Sequence, residues 1–181
     1  MSTRLRIIGI CFCLVSSFFI STAQADKLPF MNQSKIRVVV APGERAFGEI
    51  TLDNPTAESK SMRLYLEDWY YLPGGSGAKE FLPANATPTS ACPWISFSPA
   101  EVIIPAYSKQ KISYSVNAPL DAVGARFATL FFETLISKGV IAASDRSAGL
   151  DVNVRVATLF YIEVKGTIER TAKISNLNIQ R

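Results

Sequence analysis

The side chains with types suited to catalysis are few, and their spacing does not suit it. The sequence contains no histidine, which removes Ser-His-Asp and Cys-His catalysis and the commonest metal ligand. Glu67 and Asp68 are neighbours on a predicted strand, so they point to opposite faces and cannot act as a general acid and base pair. Ser76 and Lys79 match the S-x-x-K spacing of serine acyl-enzymes, but they lie in a glycine-rich loop without the S-D-N or K-T-G motif. No catalytic residues are predicted.

The remaining cysteine and acidic residues do not predict a metal or redox site. Cys92 lies between prolines and beside Trp94, and we interpret it as a buried small hydrophobe rather than a nucleophile. Asp121, Asp145 and Asp151 are too scattered for a calcium loop. We therefore expect no metal, no cofactor and no enzymatic activity, and we look for binding instead.

The first 25 of the 181 residues have the pattern of a secretory signal peptide. A basic start precedes the apolar run Ile7–Ile20, and Ala23–Ala25 resembles a small-residue cleavage site. The apolar run is short for a bilayer and no charged stop-transfer segment follows, so we expect no membrane span after cleavage. Cys11 and Cys13 would leave with the leader, which excludes an internal disulfide in the mature chain. These features predict a secreted protein.

Charge and composition favour a globular domain. The formal net charge is +4, but Arg4 and Arg6 of the predicted leader supply two of the positive charges. No basic run or RNA-binding motif occurs, so nucleic acid is not an expected partner. Hydrophobic residues make up 48% of the chain, which is ample for one core.

Alternation of apolar and polar residues predicts the secondary structure. About seven or eight strand-like segments occur and no amphipathic helix, which indicates an all-β antiparallel sandwich. We predict one domain over residues 26–166, with 167–181 as a linker or the start of a second β domain. Arg126–Ile136 is dense enough in apolar residues to be covered on both faces for part of its length. Leu72–Thr89 is interpreted as a long irregular stretch and Lys138–Gly149 as a loop.

The order and spacing of several segments resemble the periplasmic chaperones of fimbrial (pilus) assembly, the PapD-like family. The likeness covers roughly Ile36 to Val164 and rests on these stretches: Arg37–Val40 before Pro42–Glu44, Ile50–Pro55, Leu66–Trp69, Trp94–Pro99, Ile104–Pro105, Pro119, Arg126–Glu133 and Leu159–Tyr161. The resemblance implies an immunoglobulin-like sandwich that binds pilus subunits by lending them a β-strand. Together with the secretory leader, it also implies a periplasmic location and contact with an outer-membrane usher.

In that family an arginine on the first strand and a lysine on the last bind the carboxylate at the C-terminus of the subunit. Arg37 matches the arginine, whereas the lysine position falls on Thr158. Arg155 is nearby but is predicted on the opposite face. The family also has a complete second immunoglobulin-like domain, which only Thr171–Arg181 could begin here.

The last long strand is the predicted binding element. Val152, Val154 and Val156 alternate on one face at about 6.6 Å intervals, which suits successive pockets in the groove of a partner. An exposed apolar edge promotes aggregation unless it is covered, so we expect a pilus subunit or a second copy of the chain to cover it. The alternative hypothesis is a secreted immunoglobulin-like structural or adhesive module without chaperone activity, with this strand an ordinary part of the sandwich.

Overall fold

The computed structural model describes residues 29–143, 146–169 and 171. Side chains are described for all of these residues except those between positions 135 and 152. The predicted signal peptide and most of residues 167–181 lie outside this part of the chain, so the proposed domain boundaries stay predictions. No helix in the described residues is long and apolar enough to cross a membrane.

The described chain is built from ten strands, more than the seven or eight expected, and one 3-10 turn at Cys92–Trp94. The strands without a predicted counterpart are short: β1 has two residues, β7 has four and β5 has five. The strands are β1 (Phe30–Met31), β2 (Lys35–Val40), β3 (Arg45–Asp53), β4 (Lys60–Tyr71), β5 (Lys79–Pro83), β6 (Ile95–Ser98), β7 (Glu101–Ile104), β8 (Lys109–Asn117), β9 (Ala125–Ala143) and β10 (Arg146–Val164).

The strands form two sheets packed face to face, so the predicted all-β sandwich is confirmed. Sheet 1 has the order β1-β3-β8-β6, and sheet 2 has the order β2-β10-β9-β4-β5, with β7 also paired to β4. Every strand pair is antiparallel except β2 with β10, which run parallel from Lys35 beside Leu159 to Val40 beside Val164. Parallel neighbours require a long connection, and here most of the domain connects them.

The core lies between the sheets and follows the predicted alternation. Sheet 1 contributes Ile50, Leu52, Ile112 and Val116, and sheet 2 contributes Leu64, Leu130, Phe132, Phe160 and Ile162, all buried. The Tyr114 ring of sheet 1 meets the Phe160 ring of sheet 2 edge to face at 5.1 Å. A Cβ at Gly48 would overlap the Tyr114 ring and its hydroxyl oxygen, so glycine at that position makes room for this inter-sheet contact.

One end of the sandwich is closed by a buried asparagine. Asn54 is fully buried, and its amide nitrogen donates to the carbonyl oxygens of Glu58, Ile104 and Pro105 at 2.8–3.0 Å. The Thr56 hydroxyl donates to the Asn54 side-chain oxygen at 2.7 Å. The Asn54 side chain therefore hydrogen-bonds the β3–β4 turn to the end of β7.

Two of the predicted loops are wrong. Of the predicted loop Lys138–Gly149, residues 138–143 belong to β9, which continues to Ala143, and residues 146–149 belong to β10, which begins at Arg146. The Ala, Ser and Gly residues there are typical of a loop, but strand pairing supplies hydrogen bonds that side-chain composition does not reveal. Leu72–Thr89 contains the edge strand β5, paired to the end of β4.

Candidate partner-binding edge

The β9–β10 hairpin leaves part of β10 without a neighbour on one side. On its β9 side, β10 is paired from Arg146 to Glu163, with an irregularity at Val152–Asn153. On its other side, pairing to β2 begins only at Leu159, whose amide donates to the Ser34 carbonyl oxygen at 3.0 Å. Within the described residues, Asn153–Ala157 therefore has an open edge, and we call this segment the open edge of β10.

Backbone geometry determines which groups this edge presents. Because the Leu159 amide points toward β2 and backbone polar groups alternate in direction along a strand, those of Ala157, Arg155 and Asn153 point the same way. They meet no strand of the described chain there. Such a row of unpaired N–H and C=O groups can accept an additional strand.

The side chains along this edge alternate between the core-facing side and the outer face of sheet 2, as predicted. Val156 and Val154 are half-buried on the core-facing side, and Val156 packs against the core. Arg155 is exposed on the other face, where its guanidinium lies near the Glu67 carboxylate at 3.4 Å. Val152 is among the residues whose side chains are not described. The two described valines lie where an added strand would meet them, but their predicted role in client binding is not tested and stays a prediction.

Thr158 lies at the point where the open edge ends. Its side chain is fully buried, and its hydroxyl donates to the Gln33 carbonyl oxygen at 2.7 Å. The residues preceding β2 thus cover the position at which the resemblance implies a lysine. The predicted contact of Thr158 with a client stays a prediction, and the structure gives this residue a partner inside the chain.

Arg37 is exposed on β2, beside Tyr161 of β10 in the parallel register. Its guanidinium carbon is 5.8 Å from the centre of the Tyr161 ring, a cation–π distance. Arg37 and Thr158 do not form one site, because Arg37 lies on the outer face of sheet 2 and Thr158 on the core face. The predicted anchoring of a carboxylate by Arg37 stays a prediction.

Cys92 is buried, as predicted, and it also belongs to a hydrogen-bond network. Its thiol lies 3.1 Å from an Asp68 carboxylate oxygen that also accepts from the Ser90 hydroxyl at 2.6 Å. Burial, followed by the nearby Asp68, raises the pKa of Cys92 to about 12. Burial alone would raise the pKa of Asp68, but hydrogen bonds from Ser90, Cys92 and Thr87 outweigh it and hold that pKa below its ordinary value. The protonated thiol and the carboxylate thus fix the chain after β5 to the end of β4.

Sequence reasoning missed the aromatic side chains on the outer face of sheet 2. Trp69 and Phe131 point outward in the strand alternation and are nevertheless buried, because neighbouring rings cover them. The one signal in the sequence was the density of apolar residues in Arg126–Ile136, and the predicted cover on both faces is confirmed at Thr129 and Phe131.

Comparison by sequence gives no family: no family model matches the chain, and no curated protein does. Comparison of structures does find similar folds. One is in a CsuC-CsuE chaperone–tip subunit pre-assembly complex from the archaic chaperone-usher Csu pili of Acinetobacter baumannii, with a TM-score of 0.50 and 11% identity over 77% of this chain and 58% of that one.

Two further structures are similar to a lesser degree. The class 5 fimbriae chaperone CfaA has a TM-score of 0.49 and 13% identity, over 76% of this chain and 57% of its own. The PapD-like domain 7 of human CEP192 has a TM-score of 0.45 and 14% identity, over 84% of this chain and 99% of its own. This chain thus spans a little over half the length of the fimbrial chaperones that it matches. The resemblance to PapD-like fimbrial chaperones is confirmed at the level of the fold.

Proposed function

We propose that this chain is a periplasmic chaperone-like protein of fimbrial assembly, which binds pilus subunits by strand addition at the open edge of β10. The observation that carries the proposal is the row of unpaired backbone groups at Asn153–Ala157, next to half-buried Val154 and Val156. Strand addition uses both features, since backbone hydrogen bonds provide affinity and alternate side chains fill pockets of the partner. No catalytic step is part of this function.

The similar fold of the Csu chaperone complex supports the proposal, because that structure is a chaperone bound to a tip subunit. The signal-peptide pattern of residues 1–25 supports a periplasmic location. An outer-membrane usher is a further proposed partner. Arg37 would bind the terminal carboxylate of the subunit by a two-pronged guanidinium contact, which requires it to leave the Tyr161 ring.

The test is periplasmic co-expression of the chain with a panel of pilus subunits from the same genome, each with an incomplete sandwich. We expect one or more subunits to stay soluble and to co-purify with the chain. Val154→Glu should abolish this capture without unfolding the chain, because it places a charge in the apolar groove of the subunit, at a cost of several kcal/mol if unpaired. Val123→Glu is the matched control, since Val123 is 57% exposed in the β8–β9 connection.

Four results would contradict the proposal. If no subunit is captured, or if Val154→Glu captures as well as Val123→Glu does, the open edge does not bind subunits. If Val154→Glu fails to fold, the strand is only part of the sandwich, and the structural or adhesive module becomes the better interpretation. If light scattering shows a dimer that Val154→Glu dissociates, a second copy of the chain covers the edge instead.

A further inference from the structure

The outer face of sheet 2 is covered by aromatic rings rather than by the polar side chains usual on a solvent-facing sheet. Ring pairs at 5.1–5.9 Å connect side chains of β4, β5, β9 and β10 across this face. Trp69 lies at the centre, 1% exposed, and its indole N–H donates to the Ala128 carbonyl oxygen at 3.1 Å. The rings concerned are those of Tyr65, Trp69, Tyr71, Phe81, Phe127, Phe131 and Tyr161.

In one part of this face, the positive charges of two arginines are balanced by carboxylates of the chain itself. Arg63 pairs with Glu133 at 3.2 Å, and Arg155 pairs with Glu67 at 3.4 Å, so each cation lies opposite a carboxylate on another strand. The Arg155 guanidinium carbon is also 4.4 Å from the centre of the Phe131 ring. We call these four charged residues the ion-paired cluster. It leaves no net charge for a ligand to neutralise.

The other part is a row of four side chains that crosses sheet 2. Arg37 lies against Tyr161, and the Tyr161 and Tyr71 hydroxyl oxygens are 3.2 Å apart. The Lys79 ammonium is 4.9 Å from the centre of the Tyr71 ring and 5.7 Å from that of Trp69. We call Arg37, Tyr161, Tyr71 and Lys79 the cation–tyrosine row.

The row differs from the ion-paired cluster in lacking acids. Within the described residues, no carboxylate lies within salt-bridge distance of Arg37 or Lys79. Besides its contacts with aromatic rings, Lys79 has one hydrogen bond, to the Gly77 carbonyl oxygen at 3.3 Å. Burial and the Tyr71 hydroxyl raise the pKa of Tyr161 to about 12, so this phenol keeps its proton at neutral pH. The row thus presents two cations and two hydroxyl groups over a fixed indole.

We propose that the cation–tyrosine row is a docking surface for an acidic segment of a protein partner. Carboxylates of the segment meet Arg37 at one end and Lys79 at the other, and the phenol hydroxyls bond to groups between them. A protein segment fits better than a polyanion because the row holds two cations and is flanked by the ion-paired cluster. Docking on this face of sheet 2 does not require strand addition at the edge of β10, but it shares Arg37 with the proposed function, so an acidic segment and the terminal carboxylate of a subunit would compete for that guanidinium.

The width of the sheet determines the spacing of the acids. β2 and β5 are four strand positions apart, which places their backbones about 19 Å apart at roughly 4.8 Å per step. Both cations reach inward over the rings, so the gap between the two charged groups is shorter than this. An extended segment advances about 3.3 Å per residue, and acids about four residues apart would span the row.

The test uses two labelled peptides and fluorescence anisotropy with the purified chain. One peptide carries Glu at two positions four residues apart in a Ser/Thr background, and the other carries Gln at both. We expect the Glu peptide to bind, more weakly at higher salt, and the Gln peptide to bind at least about tenfold more weakly. Lys79→Gln should weaken binding of the Glu peptide about threefold to fivefold, the upper part of the range of one exposed ion pair, and Tyr71→Phe should weaken it measurably.

Arg63→Gln is the matched control, since it removes one cation from the ion-paired cluster on the same face. Equal binding of the Glu and Gln peptides would overturn the proposal. So would equal weakening by Lys79→Gln and Arg63→Gln, which would indicate attraction by net charge only. Tighter binding of a sulfated polysaccharide than of the Glu peptide would assign the row to a different ligand. Val154→Glu separates this proposal from subunit capture, because it should leave peptide binding unchanged.

Discussion

The two segments of β10 share one alternating pattern and have different surroundings. Leu159–Val164 is paired to β9 on one side and to β2 on the other, and its core-facing residues Phe160, Ile162 and Val164 are buried. Asn153–Ala157 is paired to β9 alone within the described residues, and Val154 and Val156 are half-buried. The same strand is therefore paired and buried where neighbours lie on both sides, and it leaves backbone groups unpaired within the described residues where they do not.

The largest expected difference between the segments is in amide hydrogen exchange. The N–H groups of Asn153, Arg155 and Ala157 face the open edge and should exchange almost as fast as in an unstructured chain. Those of Leu159, Tyr161 and Glu163 face β2 and should exchange at least about a thousandfold more slowly, since they open only with larger parts of the fold. NMR measures the exchange of both sets of amides. Equal protection of the two sets would show that the two segments of β10 do not differ in this way.

In Leu159–Val164, the segment paired on both sides, truncating Phe160 should cause the largest loss of stability. Phe160→Ala removes a fully buried ring that contacts Tyr114, and we expect a loss of about 3–5 kcal/mol in the free energy of unfolding. Urea denaturation measures the change. If Phe160→Ala does not fold, Phe160→Leu should still fold with a loss of about 1–2 kcal/mol. A loss below about 0.5 kcal/mol for Phe160→Leu would contradict the assigned packing.

At the boundary between the segments, Thr158→Val should have an intermediate effect. The substitution removes the hydroxyl that donates to the Gln33 carbonyl oxygen and should lower the free energy of unfolding by about 1 kcal/mol. It should also speed exchange of the Leu159 amide, because the residues before β2 would be held less firmly. Thr51→Val makes the same chemical change on sheet 1, where Thr51 is half-buried. We expect it to stay within about 0.5 kcal/mol, and equal losses would show that the Thr158 hydroxyl does not secure the boundary.

The smallest effect on stability belongs to the open edge. Val154 is only half-buried, so Val154→Ala should lower the free energy of unfolding by less than about 1 kcal/mol, below the loss typical of a buried side chain. Chemical denaturation of Val154→Ala and of Phe160→Ala compares the loss of stability in the two segments of one strand. A loss as large as that of Phe160→Ala would mean that the open edge is in fact part of the core.

Most of the sandwich could be predicted from the alternation of residue types. Ile50, Leu52, Ile112, Phe160 and Ile162 are buried on the predicted faces, because a period of two places one apolar face inward whatever the partner strand is. That the 181 residues contain no histidine is likewise known from the sequence alone, since folding cannot supply a residue type that the chain lacks. The hairpin around Ala143 and Arg146 was not predicted, because small residues carry no strong preference and only pairing made these segments strands.

The tertiary structure alone decided which features of the strands are available to a partner. Whether a backbone N–H at Arg155 or Leu159 is paired depends on where β2 begins beside β10, and no local pattern encodes that register. Tyr71 and Lys79 are only eight residues apart and pair directly, but the strand order of sheet 2 is what aligns them with Tyr161 and Arg37. The sequence determined which residues face inward because alternation is a local property. The open edge and the cation–tyrosine row arise from the relative placement of strands, which depends on the whole fold.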